Sequence, residues 1–164
     1  IALDAATGAS CQSFGEGGVV KVGADAELVW PGEFQMTSPP AVIGDVVVIG
    51  SSISDNVRVA APSGAVRAFD VRTGATKWTF DPAPGQKHGN VWAPISVDEA
   101  RGIVFLPTSS PSPDFFGGLR AGDNDYTDSV VALRGETGEM VWSYQTVHHD
   151  VWDYDLPAQP GLYT

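Results

Sequence analysis

The sequence predicts an all-β protein built from short strands and tight turns. Nineteen Gly and twelve Pro in 164 residues favour turns over long helices. Hydrophobic residues make up 43% of the chain, which is enough for a packed core. The hydrophobic spacing gives no amphipathic helix of about ten residues. An internal repeat is the strongest of these observations, because it also predicts how the strands are arranged.

One sequence pattern occurs three times along the chain. Its glycines, which close each copy, are 66 and then 64 residues apart. In the second and third copies a tryptophan, Trp78 or Trp142, follows the glycine by four residues. The three copies are Ala2–Gly8, Ala68–Gly74 and Ala132–Gly138.

Each copy predicts a β-hairpin. Val66–Asp70 alternates as a strand does, and Lys77–Phe80 forms the returning strand. The Asp-x-x-Thr-Gly segment between them is typical of a turn in which Asp accepts backbone N–H groups and Gly takes a positive φ. Hairpins that recur about every 65 residues, with other strands between them, indicate sheets arrayed around an axis, as in a β-propeller. We expect the repeated Trp residues to pack in the core.

Two copies depart from the pattern. Gln12 stands where the first copy should have Trp, and Arg134 replaces Asp in the third copy. We expect these changes to cost only local turn stability. Two further strand regions fit the same architecture: a hairpin over Val42–Ile49 around a Gly-Asp turn, and a strand over Gly102–Leu106.

Composition excludes several classes of function. The net charge is −11 and no basic patch exists, which argues against a nucleic-acid partner. Cys11 is the only cysteine, so the chain can form neither an internal disulfide nor a thiolate metal site. No stretch approaches the roughly 18 apolar residues of a membrane span. We expect the chain to be a piece of a longer protein, since it starts within a strand pattern and without Met.

Three segments are richer in functional groups than a connecting loop needs to be. Asp55 and Asn56 follow a hydrophobic strand, and their oxygens suit either a hard cation such as calcium or an Asx turn. Trp92 lies outside the repeat register and could pack in the core or offer a flat face to an aromatic ligand. The loop 107–118 combines hydroxyl, Pro and aromatic residues, as functional loops often do.

The segment 145–157 is the sharpest candidate for chemistry. Two His, three Asp, a Trp and a Tyr lie within eight of its residues. A zinc or iron site is one interpretation, but neighbouring His side chains on a strand point to opposite faces. A catalytic carboxylate on a loop that His and Asp hold in shape is the better interpretation.

These motifs resemble the pyrroloquinoline quinone (PQQ)-dependent dehydrogenases over essentially the whole chain. The resemblance is greatest to the membrane-bound glucose dehydrogenase group, which includes related polyol and quinate enzymes. The motif over 144–153, continued by 156–160, is highly specific, whereas the hairpin repeat alone would be weak evidence. The other matching segments are Thr37–Pro40, Asp55-Asn56, Asn90–Trp92 and the hairpins with Trp78 and Trp142.

The resemblance implies a fold, cofactors and site residues. The fold is an eight-bladed β-propeller, of which residues 1–164 would form about two to three blades. By motif position, Asp153 matches the catalytic base and Trp92 the residue that stacks on the quinone. Asp55 and Asn56 match a calcium-site pair, and Ser112 lies near a further calcium-site position. Calcium would polarise the quinone, while Asp153 takes the proton of a substrate hydroxyl.

The resemblance also implies partners and a location. The substrate would be a sugar or polyol, the electron acceptor ubiquinone or a similar quinone, and the site the periplasmic side of the bacterial inner membrane. Membrane attachment would come from parts of the protein outside this chain, and the isolated chain is expected to be inactive. Two alternatives remain: a non-catalytic propeller scaffold for protein partners, and a methanol- or alcohol-type quinoprotein dehydrogenase. A scaffold has no use for the cluster over 148–153.

Overall fold

The computed structural model describes residues 1–23, 28–85 and 89–163, and it is all-β, as predicted. The one helical element in this part of the chain is a 3-10 helix of three residues, Gly117–Leu119. The strands are β1 Phe34–Gln35, β2 Ala41–Ile43, β3 Val46–Ile49, β4 Ser52–Ile53, β5 Val66–Asp70, β6 Thr76–Phe80, β7 Ser96–Asp98, β8 Ile103–Pro107, β9 Ser129–Arg134 and β10 Met140–Gln145.

Eight of these strands form two four-stranded antiparallel sheets. The first has the order β2-β3-β5-β6 and the second β7-β8-β9-β10, so each sheet is an up-and-down meander. Strands β1 and β4 pair with each other outside these sheets, and β4 lies within the connection between β3 and β5. The strand regions predicted between Val42 and the third repeat are present, including the hairpin around Gly44 and Asp45, whereas the first copy forms only an isolated bridge between Leu3 and Ser10. Both meanders run in chain order. The β3–β5 connection of the first sheet and the β8–β9 connection of the second, each joining a second to a third strand, are therefore equivalent in position.

The repeated turn has a clear chemical basis. Oδ1 of Asp70 accepts the N–H groups of Arg72 and Thr73 at 3.0 and 2.8 Å and the Thr73 hydroxyl at 2.9 Å. These bonds hold the pKa of Asp70 below its usual value. Gly74 closes the turn with φ +71, a conformation that costs a residue with a Cβ about 1 kcal/mol or more. In the third copy Arg134 lacks these carboxylate bonds but keeps the closing bond from Gly138 N–H at 2.8 Å.

Trp78 joins the two sheets. It is 8% exposed, and its Nε1–H donates to the Gly135 carbonyl in the next repeat at 2.9 Å. A Cβ at Gly138 would lie 2.7 Å from the Trp78 ring, so only glycine permits this approach. The prediction that this Trp packs in the core is therefore confirmed, and its contact lies between the sheets.

The first and third copies make this contact differently. Where Gln12 replaces Trp, Phe14 and Val20 pack on Gly74, and Gly15 N–H donates to Thr73 O at 2.8 Å. Trp142 is 44% exposed, and its ring lies 5.8 Å from the ring of Phe105. Within the described residues, Trp78 packs in the core against the next repeat, whereas Trp142 has Phe105 as its ring contact.

Both sheets contribute to one hydrophobic core. Strands β2 and β7 lie side by side, which brings the two inner strands into contact. No helix among the described residues is long and apolar enough to cross a membrane. The buried core residues are Ala41, Ile43, Val46, Val48, Val66, Ala68, Trp78, Val91, Ile95, Val104, Leu106, Val131 and Leu133.

We predict that Gly138→Ala destabilises the protein more than Gly102→Ala does. Both glycines have positive φ, at +74 and +67, so the backbone strain of about 1 kcal/mol is matched. A Cβ at Gly102 meets nothing within 4 Å, whereas at Gly138 it displaces Trp78. The measurement is thermal unfolding of both variants. Equal destabilisation would show that the Trp78 contact contributes nothing to the joining of the sheets.

Candidate active site

Three carboxylates from separate segments converge at one end of the two sheets. One oxygen each of Asp55, Asp114 and Asp153 lies within 4.8 Å of the others. Asp55 follows β4 in the β3–β5 connection, Asp114 lies in the β8–β9 connection, and Asp153 follows β10. The β3–β5 and β8–β9 connections are the second-to-third connections of their sheets, and this equivalence explains why they meet. Oxygen ligands at this spacing can hold a divalent cation.

An ion pair between buried Glu33 and half-buried Arg58 holds the segment that carries Asp55. Glu33 Oε1 lies 2.5 Å from Nε of Arg58, and Glu33 Oε2 accepts the N–H of Val29 at 2.7 Å. The bond to Arg58 is the main cause of the lowered pKa of Glu33. Ser54 N–H also donates to the Glu33 carbonyl at 2.9 Å. The chain on both sides of Asp55 and Asn56 is thereby fixed to Glu33.

Asn56 and Ser112 line one cavity of about 250 Å³. Asn56 has φ +53, a conformation that Asn tolerates better than most residues. Ser112 is buried and stands two residues before Asp114 in the β8–β9 connection. The two predicted metal-site segments are therefore neighbours in space, although they are far apart in sequence.

Asp150 shapes the loop that carries Asp153. Its Oδ1 accepts the N–H of Trp152 at 3.0 Å and its Oδ2 accepts the N–H of Tyr154 at 2.7 Å. Asp153 lies between these two donors with φ +59. Arg120 is buried and donates from Nη2 to the carbonyls of both Asp114 and Asp150. One guanidinium thus connects the segments of two carboxylates in the cluster.

Trp92 is attached to the same loop. Its Nε1–H donates to Oδ2 of Asp155 at 2.6 Å, and Oδ1 of Asp155 accepts the N–H of Ser110 at 2.7 Å. The Trp92 carbonyl accepts the hydroxyl of Thr37 at 3.0 Å and also that of Ser38. The half-buried indole is therefore held at the backbone and at the ring nitrogen. Fixed in this way, it can present one ring face to a planar ligand.

Burial and mutual repulsion perturb the carboxylates. Burial raises the pKa of Asp114 to about 7, and the charges of Asp153 and Asp55 add to the shift. Burial likewise raises the pKa of Asp153 to about 6, with Asp155 and Asp55 contributing. Like charges held together disfavour ionisation, and a cation among them reverses that effect.

Among the described residues, His148 and His149 take no part in the carboxylate cluster. Nδ1 of His149 lies 2.7 Å from the Gly122 carbonyl, and a Cβ on Gly117 would collide with the same ring. His148 is exposed. Within the described residues the structure gives His149 a loop-holding role, in agreement with the preferred interpretation of this segment.

Sequence reasoning missed Asp114. The interpretation of loop 107–118 selected Ser112, whereas the carboxylate that reaches the cluster is two residues further on. The signal that could have found Asp114 is topological, because two second-to-third strand connections with acidic residues should meet at one end of adjacent sheets.

Comparison with known proteins identifies the family. A family model described as the PQQ-type glucose/ethanol/alcohol dehydrogenase β-propeller domain matches residues 1–164. The chain belongs to this family of quinoprotein dehydrogenase propellers. The quinoprotein glucose dehydrogenase of Escherichia coli K12 is 39% identical over 99% of the chain. The quinate/shikimate dehydrogenase (quinone) of Acinetobacter baylyi is 43% identical over the same share.

Solved structures agree with the propeller fold. The quinohemoprotein alcohol dehydrogenase of Comamonas testosteroni matches 80% of the chain with a TM-score of 0.66 and 25% identity. The predicted all-β propeller is therefore confirmed. The chain spans 22% of the length of the E. coli relative and 24% of the Comamonas structure. Membership of the PQQ family implies a PQQ cofactor for the whole protein.

We predict that Asp114→Asn stabilises the protein when a chelator removes divalent cations. Folding raises the pKa of Asp114 from 3.8 to about 7, so its ionised form opposes folding increasingly as pH rises across that range. Thermal unfolding should show the gain at pH 8 and a smaller gain toward pH 4, and Asp125→Asn on an exposed loop is the matched control. A lower unfolding temperature for Asp114→Asn at pH 8 would contradict the repulsion described.

Proposed function

We propose that the protein containing this chain oxidises a hydroxyl group of a sugar or polyol, using PQQ and a calcium ion. The observation that carries the proposal is the convergence of Asp55, Asp114 and Asp153 beside a Trp92 indole held by the same loop. Residues 1–164 would supply two blades and part of a third to the propeller.

The donor set fits calcium. It offers carboxylate oxygens from Asp55 and Asp114 close to Asp153, with the Asn56 amide and the Ser112 hydroxyl at a nearby cavity. Hard oxygen donors of this kind suit calcium, and no soft ligand is present among the cluster residues. The raised pKa values of Asp114 and Asp153 support the same assignment, because the cluster carries repulsion that a divalent cation would relieve.

Asp153 is proposed as the general base. A base must be ionised to accept a proton, and burial raises the pKa of Asp153 only to about 6, which leaves it mostly ionised at neutral pH. A cation bound to Asp55 and Asp114 would lower this pKa further. The bonds from Asp150 to the flanking N–H groups keep the loop, and hence the carboxylate, in a fixed position.

Trp92 is proposed to bind the planar cofactor. Its indole keeps one orientation because Asp155 holds Nε1 while Thr37 and Ser38 hold the backbone. The bound quinone and calcium ion supply hydride acceptance and Lewis acidity, chemistry that protein side chains do not provide. The protein positions the alcohol, removes its proton at Asp153 and excludes water.

The relatives support the proposed substrate class. The names of the two relatives specify glucose and quinate or shikimate, molecules that carry several hydroxyl groups. We propose a substrate of this class, and ubiquinone or a similar quinone as the acceptor. We also propose the periplasmic side of the bacterial inner membrane as the location, with attachment through other parts of the protein.

The first experiment uses the full-length protein reconstituted with PQQ and calcium. Dye reduction is followed with glucose, other aldoses, quinate, glycerol and simple alcohols. Sugar or polyol oxidation that requires both cofactors supports the proposal. Preference for methanol or ethanol would favour the alcohol-type alternative, and failure to bind PQQ would favour a scaffold.

We predict that Asp153→Asn lowers kcat by about 10²- to 10⁴-fold, the usual contribution of a positioned base. The amide has nearly the same shape but cannot accept the proton. The same dye assay measures the effect, and Asp125→Asn is the control for the loss of one surface charge. A kcat within a few-fold of the unaltered protein would remove Asp153 from this role.

We predict that Asp55→Asn raises the calcium concentration for half-maximal activity by about tenfold or more, since calcium affinity depends on the number of charged ligands. Titration of the calcium-depleted protein measures the effect. Glu136→Gln, an exposed change on the third repeat turn, should leave the titration unchanged. An unchanged titration for Asp55→Asn would mean that calcium binds elsewhere.

A further inference from the structure

A second group of acidic residues lies beneath the Asp153 loop and is separate from the cation cluster. Ser110 Oγ lies 2.9 Å from Asp128 Oδ1 and 2.7 Å from Asp150 Oδ2. Asp128, Ser110 and Asp150 are 0%, 2% and 1% exposed, respectively. A single hydroxyl therefore bridges two buried carboxyl groups, in a place where surrounding water cannot supply additional hydrogen bonds.

The number of hydrogens limits how this bridge can be made. A serine hydroxyl carries one hydrogen, so it can donate to only one of the two carboxyl groups. At 2.7 and 2.9 Å both contacts have hydrogen-bond length, and two ionised carboxylates would leave one of them as an oxygen–oxygen contact without a proton. Both contacts are satisfied when one carboxyl is protonated and donates to Ser110 Oγ.

The surroundings indicate which carboxyl keeps the charge. Asp150 accepts two backbone N–H groups, from Trp152 and Tyr154, which favour its ionised form. Oδ2 of Asp128, by contrast, is buried with no hydrogen-bond partner among the described residues. A neutral carbonyl oxygen tolerates that position at much lower cost than a carboxylate oxygen.

We propose that Asp128 is protonated in the folded protein and donates to Ser110, so that the Ser110 hydroxyl is directed to Asp150. Ionised Asp150 then holds the N–H groups of Trp152 and Tyr154, and with them the loop that carries Asp153. Asp128 is thus a positioning residue that acts through Ser110 and Asp150. Its effect on catalysis rests on the function proposed above, whereas its protonation does not.

The pKa directions agree with this arrangement. Burial raises the pKa of Asp128 to about 7, and repulsion by Asp150 and Asp155 adds to the shift, although the neighbouring Ser110 and Thr127 hydroxyls act in the opposite direction. The pKa of Asp150 is lowered: burial opposes ionisation, but the hydrogen bonds from Tyr154, Ser110 and Trp152 outweigh it. Arg120 is the cation that faces both carboxyl groups.

The arrangement implies a pH dependence. Below about pH 7 Asp128 keeps its proton and the bridge is complete. Above that pH Asp128 becomes ionised, and the single hydroxyl hydrogen of Ser110 can then bond to only one of the two carboxylates. The loop that holds Asp153 loses part of its support, so activity falls on the alkaline side.

The test uses the full-length holoprotein with PQQ and calcium bound, and it compares Asp128→Asn with Ser110→Ala. Asn offers an N–H in place of the carboxyl O–H and suits the φ of +48 at this position. Ser110→Ala removes the bridging hydroxyl. Infrared difference spectra at pH 6 measure the C=O band of a protonated carboxylic acid, and thermal unfolding is measured from pH 5 to pH 8.

We expect the protonated-acid band to lose the contribution of one carboxyl in Asp128→Asn. Folding raises the pKa of Asp128 from 3.8 to about 7, so its ionisation lowers stability as pH rises across that range. The unfolding temperature of Asp128→Asn should therefore increase relative to the unaltered protein between pH 5 and pH 8. An unchanged band, or a constant temperature difference, would overturn the proposal, and both readouts hold even if the protein has no dehydrogenase activity.

Activity then tests the positioning role. We expect Asp128→Asn to lose the alkaline decline, and Ser110→Ala to lower kcat by about tenfold with little change in KM. An Asp128→Asn variant as damaged as Ser110→Ala at pH 6, or one that keeps the alkaline decline, would overturn the role of Asp128.

Discussion

The contact of Trp78 with the next repeat is the interaction on which the rest of the structure depends. Its indole donates to the Gly135 carbonyl and lies against Gly138, and it thereby sets the position of the second sheet relative to the first. Asp55 comes from the first sheet's connections, while Asp114 and Asp153 come from the second. The cluster therefore exists only while the two sheets keep this relation. The Trp78 contact lies at the repeat turns and the carboxylate cluster lies on the loops. The two sheets connect them, so the position of the cluster depends on the contact.

At the site, carboxylates are present in excess of the cations that face them. Three lie together at one end of the sheets, and two more are bridged by Ser110 under the loop that carries Asp153. Arg120 is the cation shared by these segments, and it donates mainly to backbone carbonyls. A bound divalent cation would balance the negative charge of the three clustered carboxylates. A retained proton would balance the charge of the pair Asp128 and Asp150. Both means keep the Asp153 loop in one conformation.

The fold could be predicted from the sequence because each repeat contains the residues that form its turn and its returning strand. Asp70 and Gly74 specify the turn chemistry, and Val46–Ile49 is a run of β-branched residues. The position of the carboxylate site could be predicted from the sequence only in part. Asp153 lies in a dense group of His and Asp residues and Asp55 stands beside Asn56 after a strand, and the family resemblance gave both a role. Asp114 joins them through a meeting of loops that no local pattern encodes.

The proposed site holds one cation between carboxylates that come from both sheets. The most direct measurement is a crystal structure of the full-length protein with calcium and PQQ bound, in which anomalous scattering locates the ion. We predict the ion between Asp55 and Asp114, with their carboxylate oxygens about 2.3–2.6 Å away, Asp153 beside it and Trp92 against the quinone. An ion bound away from these residues, with the three carboxylates still together, would contradict the account.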